Sequence, residues 1–263
     1  MKKLIYIMLG AIALMSLSCN DIDEGDRYIY VKPPEKGRKV LLEDYTGQRC
    51  LNCPKAADII HELMGQYGGD TIIAVSIHGG PLAFKKAGNP KALANDLGDT
   101  YYKAFQLDHN PVGLINRHGA SDFQAWKGLV YDEIQLKSPL DLDLASTFNE
   151  GNGSVEVTVN SIGTNGNTAG KLQLWVVEDS IVALQTMPDG TVNKEYVHNH
   201  VLRAAVNGDW GEDFAISEGQ KKENKFHFLL DKGWVARHIS IVAFVYNDNG
   251  VQQVSKTSII QKQ

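Results

Sequence analysis

The sequence predicts an α/β domain followed by an all-β domain, on three observations. Residues 40 to 77 read as strand, helix, strand; the apolar period changes from helical to two at Pro139; and Asn-Gly or Asp-Gly pairs punctuate the chain beyond that point. Val40-Leu41-Leu42-Glu43-Asp44-Tyr45 is a compact apolar stretch that reads as a buried strand, and Thr46-Gly47-Gln48-Arg49 breaks it. After Cys50-Leu51-Asn52-Cys53-Pro54, the apolar residues Ala57, Ile59, Ile60, Leu63, Met64 and Tyr67 recur at helical spacing until Gly68-Gly69 stops them. Thr71 to Ile77 is β-branched and apolar, a second buried strand joined to the first through a helix, as in a parallel βαβ unit.

Between His78 and Asn110 no clean strand is visible, and the segment reads as an insertion holding one or two helices from Lys91 to Leu107, interrupted at Gly98. Asn110-Pro111-Val112-Gly113-Leu114-Ile115-Asn116 restores strand character. Ser121 and Gln124 form a capping signature for a helix running to Ile134. Past Pro139, Leu140, Leu142, Leu144 and then Val155, Val157, Val159 alternate with polar residues, which is sheet with one wet face. Further strands are expected over 171–177, 224–230, 238–246 and 251–260, with turn pairs at 165, 189 and 249. Roughly seven strands of this kind suggest an immunoglobulin-like sandwich.

The N-terminus carries an address. Lys2 and Lys3 precede an apolar run from Leu4 to Leu14 that is too short to span a bilayer, and Ser16-Leu17-Ser18-Cys19 follows. This resembles a bacterial lipoprotein signal, which implies cleavage before Cys19 and a lipid on its thiol; Asn20 to Asp26 then reads as a solvated acidic tether. The expected organisation is a signal peptide over 1–18, a tether over 19–37, an α/β domain over 38–137 and a β-sandwich domain over 138–263. The net charge of −5 becomes more negative when Lys2 and Lys3 are removed, and without a basic cluster the chain is a poor match for nucleic acid. No residue pattern calls for a cofactor.

With Cys19 lipidated, two of the three cysteines remain, three positions apart. In an oxidising compartment they can form a disulfide, and so small a loop gains little entropic stability from it, so redox exchange is the stronger reason for the pair. A merely structural disulfide and a metal site remain open, the latter with His78 or His109 as further ligands. At the start of a helix, unpaired N–H groups and the dipole favour a thiolate at Cys50, with Cys53 placed to resolve a mixed disulfide. His198 and His200 offer a second, separate pair of imidazoles.

Residues 38 to 137 resemble the thioredoxin superfamily through the CxxC helix, Asp44 and Pro111. The resemblance implies that Asp44 is the buried acid assisting Cys53 and that Pro111 is the cis-proline packed on a Cys50–Cys53 disulfide. Leu51-Asn52 differs from the dipeptides of typical members, and Arg49 replaces their tryptophan, where its charge is expected to favour the thiolate. The fold class is therefore an α/β thioredoxin-like domain followed by an all-β immunoglobulin-like sandwich domain.

The stretch Tyr196 to Gly211 resembles the C-terminal half of the Omp28-related outer-membrane lipoproteins of Bacteroidetes. Together these readings predict an outer-membrane, lipid-anchored protein facing the periplasm or the cell surface. It is expected to exchange disulfides with envelope or surface proteins through Cys50, Cys53, Asp44 and Pro111. The alternative is a non-enzymatic adhesion or interaction lipoprotein that keeps only a structural disulfide.

Overall fold

Two strands that are apolar on both faces need cover on both sides and partners on both edges, and here the chain supplies them from both of its halves. The computed structural model describes residues 36–260 except 87, 88 and 90. The expected signal peptide, Cys19 and most of the tether lie outside the described residues.

In chain order the elements are β1 (Lys36–Gly37), β2 (Val40–Thr46), α1 (Cys53–Tyr67), β3 (Ile72–His78), α2 (Asp96–Ala104), β4 (Val112–Ile115) and β5 (Ala120–Ser121). Then come α3 (Trp126–Ile134), β6 (Lys137–Ser138), β7 (Leu140–Asn149), β8 (Ser154–Gly163), β9 (Thr168–Glu178), β10 (Ile181–Thr186), β11 (Val192–His198) and β12 (Val201–Ala205). The chain closes with β13 (Glu212–Ile216), β14 (Lys221–Leu229), β15 (Ile239–Asn247) and β16 (Gly250–Ser258).

The expected fold class is overturned by the strand pairing. Instead of a thioredoxin-like α/β domain and a separate sandwich, a nine-stranded mixed sheet runs in the order β16-β15-β9-β12-β3-β2-β4-β5, with β13 also on β9. The junction is β12 beside β3: Val201 pairs in parallel with Ser76, and the Ser76 N–H donates to the His200 carbonyl at 2.7 Å. β3, in full Ile72-Ile73-Ala74-Val75-Ser76-Ile77-His78, would be a long apolar edge if the N-terminal part stood alone, and β12 removes that edge.

Both faces of the sheet are covered by different means. Val40, Leu42, Ile72, Ala74 and Ile115 face α1 and α3, with Ile60, Leu63, Trp126 and Val130 packed on them. Trp126 lies so close over Gly113 that a Cβ there would meet its indole at 2.5 Å. On the opposite face Leu41, Tyr45, Ile73, Val75 and Ile77 join Trp175, Phe244 and the α2 residues Tyr101 and Tyr102 in one core. A three-stranded sheet, β14-β8-β7, covers Leu174, Val176, Ile241 and Ala243 with its own Leu142, Val157 and Val159.

Two local expectations also change. The helix α2 passes through Gly98 without interruption: the Asn95 side chain caps it by accepting from the Gly98 N–H at 2.7 Å, and the glycine lets the helix approach the His78 carbonyl. Ser121 does not cap a helix but ends β5, its hydroxyl donating to the Gly113 carbonyl at 3.1 Å, and the chain enters α3 through a 3-10 turn at Phe123–Ala125. Among the described residues no helix is long and apolar enough to cross a membrane.

Candidate functional site

The site grows from the turn after β2. Gly47 sits against the backbone of Leu82, where a Cβ would lie 2.4 Å from the carbonyl oxygen, so the turn and the insertion are locked together. Arg49 N–H donates to that same carbonyl at 3.0 Å, and Cys50 N–H folds back onto Gly47 O at 3.0 Å. This tight turn delivers Cys50 to the start of α1, where Asn52 gives no side-chain cap. The Cys53 N–H donates instead to the Cys50 sulfur at 3.1 Å, satisfying one of the free donors of the first turn. Cys50 and Cys53 are joined in a disulfide with their Cα atoms 5.4 Å apart.

Both cysteines are buried, Cys50 1% exposed and Cys53 3%, and Cys53 borders the cavity described below. Beside them lies the β10–β11 ribbon, an antiparallel pair that, among the described residues, joins no other strand. The buried Gln185 amide donates to the Cys50 carbonyl at 2.9 Å, and Thr186 N–H donates to the Gln48 carbonyl at 2.9 Å. Gln48, also buried, stitches three segments: its amide donates to the carbonyls of Lys91 and Leu184, both at 3.0 Å, while its oxygen accepts from Leu93 N–H at 2.9 Å. Arg49 stands over the Phe84 ring at 5.1 Å, a contact absent from the expectation that it serves the Cys50 sulfur.

Beneath the helix start lies a polar cluster. Asp44 is 2% exposed, its Oδ1 has no hydrogen-bond partner, and burial lifts its pKa to about 8, so the carboxyl is largely protonated at neutral pH. His78 at the end of β3 is buried, with Nδ1 unpartnered. Burial, then the neighbouring His198 and Arg203, hold it well below the usual imidazole range. Burial likewise lowers His198 to about 4, against the opposing bond between its Nε2 and the Leu184 carbonyl at 3.3 Å. The two imidazole rings face each other edge-on with centroids 5.4 Å apart. A cavity of about 1000 Å³ opens beside them, lined by Asp44, Cys53, His78, Tyr196 and His198 among others.

Pro111 follows Asn110 through a cis peptide and leads into β4, while the Asn110 amide donates to Tyr45 O at 3.0 Å. His109 is exposed, between Asp108 at 2.7 Å and Asp122 at 3.0 Å. His198 and His200 go to different partners, since His200 Nδ1 lies 3.0 Å from the Asp179 carboxylate. Among the described residues no three His, Cys, Asp or Glu side chains are arranged to hold a metal ion. Gln48, Gln185 and the role of His198 were not visible in the sequence; the Asp189-Gly190 pair, which turns the ribbon, was the one available sign of it.

No curated protein matches the chain. Its fold is similar to HBP35 of Porphyromonas gingivalis, with a TM-score of 0.66 at 16% identity over 86% of this chain and 79% of that one. A domain of the outer membrane lipoprotein Omp28 from the same organism is 27% identical over 48% of this chain and 92% of its own, with a TM-score of 0.35. The family described as outer membrane protein Omp28 matches residues 98–263. The chain thus belongs to the Omp28 family and is an outer-membrane protein of the cell envelope.

Proposed function

We propose that this envelope protein is a non-enzymatic interaction protein, held at the membrane by lipid on Cys19, in which the Cys50–Cys53 disulfide clips the turn to α1. Its partners are other envelope or surface proteins. The observation that carries the reading is the burial of Cys50 and Cys53, with Gln185 of the β10–β11 ribbon bonded to the Cys50 carbonyl. Exchange requires an attacking thiolate to reach a disulfide sulfur in line with the S–S bond, and a pair this buried offers little room for that approach. Mixed-disulfide trapping with a Cys53→Ala variant in whole cells at neutral pH tests it. No trapped client is expected, together with a wild-type pair that resists a glutathione buffer; a ladder of trapped envelope proteins would overturn it.

One observation favours thiol-disulfide exchange as a second reading. Asp44, largely protonated and lacking a partner for Oδ1, lines the same cavity as Cys53, where it could pass a proton to or from that sulfur. In that reading Cys50 attacks, Cys53 resolves and Pro111 borders the client. It needs the ribbon to move first.

A further inference from the structure

We propose that the β10–β11 ribbon is an acid-released cover over the Cys50–Cys53 disulfide, latched by the facing imidazoles of His78 on β3 and His198 on β11. The inference goes beyond the interaction function and holds whichever role the disulfide has. It starts from the way the ribbon is attached. Among the described residues β10 and β11 pair only with each other, and a short set of contacts holds them down: Gln185 on Cys50 and Gly47, Thr186 and Leu184 on Gln48, Ile181 and Ala183 with Leu93 and Val201, and His198 against His78. Val182, Val192 and Val197 on the ribbon's outer side are about half exposed. A unit held by few contacts opens more readily than the sheet beneath it.

The latch is sensitive because both rings are neutral and desolvated in the closed form. His78 faces His198 from the ribbon, Asp44 from β2 and Arg203 from β12; Arg203 is itself paired with Glu178 of β9 at 3.3 Å. His198 faces Tyr196, whose ring is 4.8 Å away, and the Leu184 carbonyl. From α1, Asp58 and His61 border the same cavity; at the ribbon's base Asp179 engages His200 and Lys256. Among the described residues no carboxylate is hydrogen-bonded to either ring, and a second positive charge 5.4 Å from the first would repel it.

The sign follows from linkage. The closed-form pKa of both histidines lies below the value they regain when the ribbon lifts, so their contribution to closure is complete above about pH 6.5 and is lost as the pH falls. Each histidine that stays neutral in the closed form at pH 5 shifts the balance toward opening by about 30-fold between pH 7.5 and 5. Asp44 works the other way: its closed-form pKa is raised, so if solvated on opening it would favour closure as acid is added. An Asp44→Asn background removes that opposing titration, and Asp179, held below the usual carboxylate range, titrates beneath this window.

The experiment is amide hydrogen exchange of residues 181–198 in Asp44→Asn protein between pH 7.5 and 5, corrected for intrinsic exchange. Residues 53–67 serve as the internal reference. Alongside it, the rate at which a water-soluble phosphine reduces the disulfide is followed; the phosphine takes oxygen from water and two thiols form. Ribbon exchange and disulfide reduction are expected to rise together by at least 30-fold on acidification while the helix stays protected. With His78→Gln added the rise should fall by about 30-fold, and with His78→Gln and His198→Gln together it should vanish. A ribbon whose protection is unchanged by acid, or a rise that survives removal of both imidazoles, overturns the proposal. If a variant fails to hold the ribbon at pH 7.5, the His78→Gln protein alone decides, since that residue belongs to β3 and not to the ribbon.

Discussion

Glu43 and Asp44 are neighbours on β2, equally buried, and they face opposite sides of the sheet into opposite electrostatic worlds. Glu43 accepts from Arg117 Nε at 2.6 Å and from the Tyr45 hydroxyl at 3.0 Å. The guanidinium is enclosed in turn by aromatic faces, with Tyr246 at 4.3 Å and Phe244 at 4.9 Å. Asp44 has no cation, and its carboxyl stays protonated to about pH 8. Burial alone therefore does not set the charge of a carboxyl; the presence of a desolvated partner does. One side of the sheet holds a buried, hydrogen-bonded ion pair, though Arg117 Nη2 has no hydrogen-bond partner among the described residues, and the other holds neutral acid and imidazole groups poised to titrate.

Breaking the ion-paired side should cost most. Arg117→Met leaves Glu43 buried and unpaired, and a loss of about 3–5 kcal/mol is expected in urea unfolding at pH 7. A loss under about 1 kcal/mol would show that Glu43 finds water or a proton instead.

The neutral side should respond in the opposite sense. The folded pKa of Asp44 lies above its unfolded value, so the native state holds a proton that the unfolded chain gives up, and stability falls as pH rises from about 4 to 8. Asp44→Asn is expected to stabilise by roughly 2–4 kcal/mol at pH 7 and to change little at pH 4. Unfolding curves at the two pH values check this, and equal effects at both would refute the neutral carboxyl.

The smallest effect sharpens the contrast at the cover. Gln185→Ala removes bonds to the carbonyls of Cys50 and Thr186 and should cost about 1–2 kcal/mol. Its signature is about tenfold faster exchange of the ribbon amides with the sheet unaffected. Global unfolding without that local change would place Gln185 in the core and not in the latch.

Much of the secondary structure is legible from local pattern. β2, β3, β7, β8, β9, β14, β15 and β16 lie where apolar runs or alternation place them, and α1 begins at the CxxC as its spacing requires. The ribbon is less legible. Val192 to Glu195 is exposed and carries no alternation, because a two-stranded ribbon lying on a loop needs few buried side chains. Gln48 reads as part of the turn that ends β2 and Gln185 carries no signal, since nothing in their neighbours shows that backbone carbonyls will converge on them. His198 and His200, paired in the sequence as two neighbouring imidazoles, are separated by a break between β11 and β12, with φ +58° at His200.

Local chemistry was sufficient to specify the strands with apolar runs or alternation, the CxxC helix and the family, because each depends on side chains close together in the chain. What only the folded molecule decided was that β12 adds to β3, joining strands from both halves of the chain in one sheet, and that a ribbon distant in sequence bonds to the turn carrying Cys50. The physical reason is shared: edge strands and unsatisfied carbonyls specify that a partner must come, and only the three-dimensional path of the chain specifies which partner arrives.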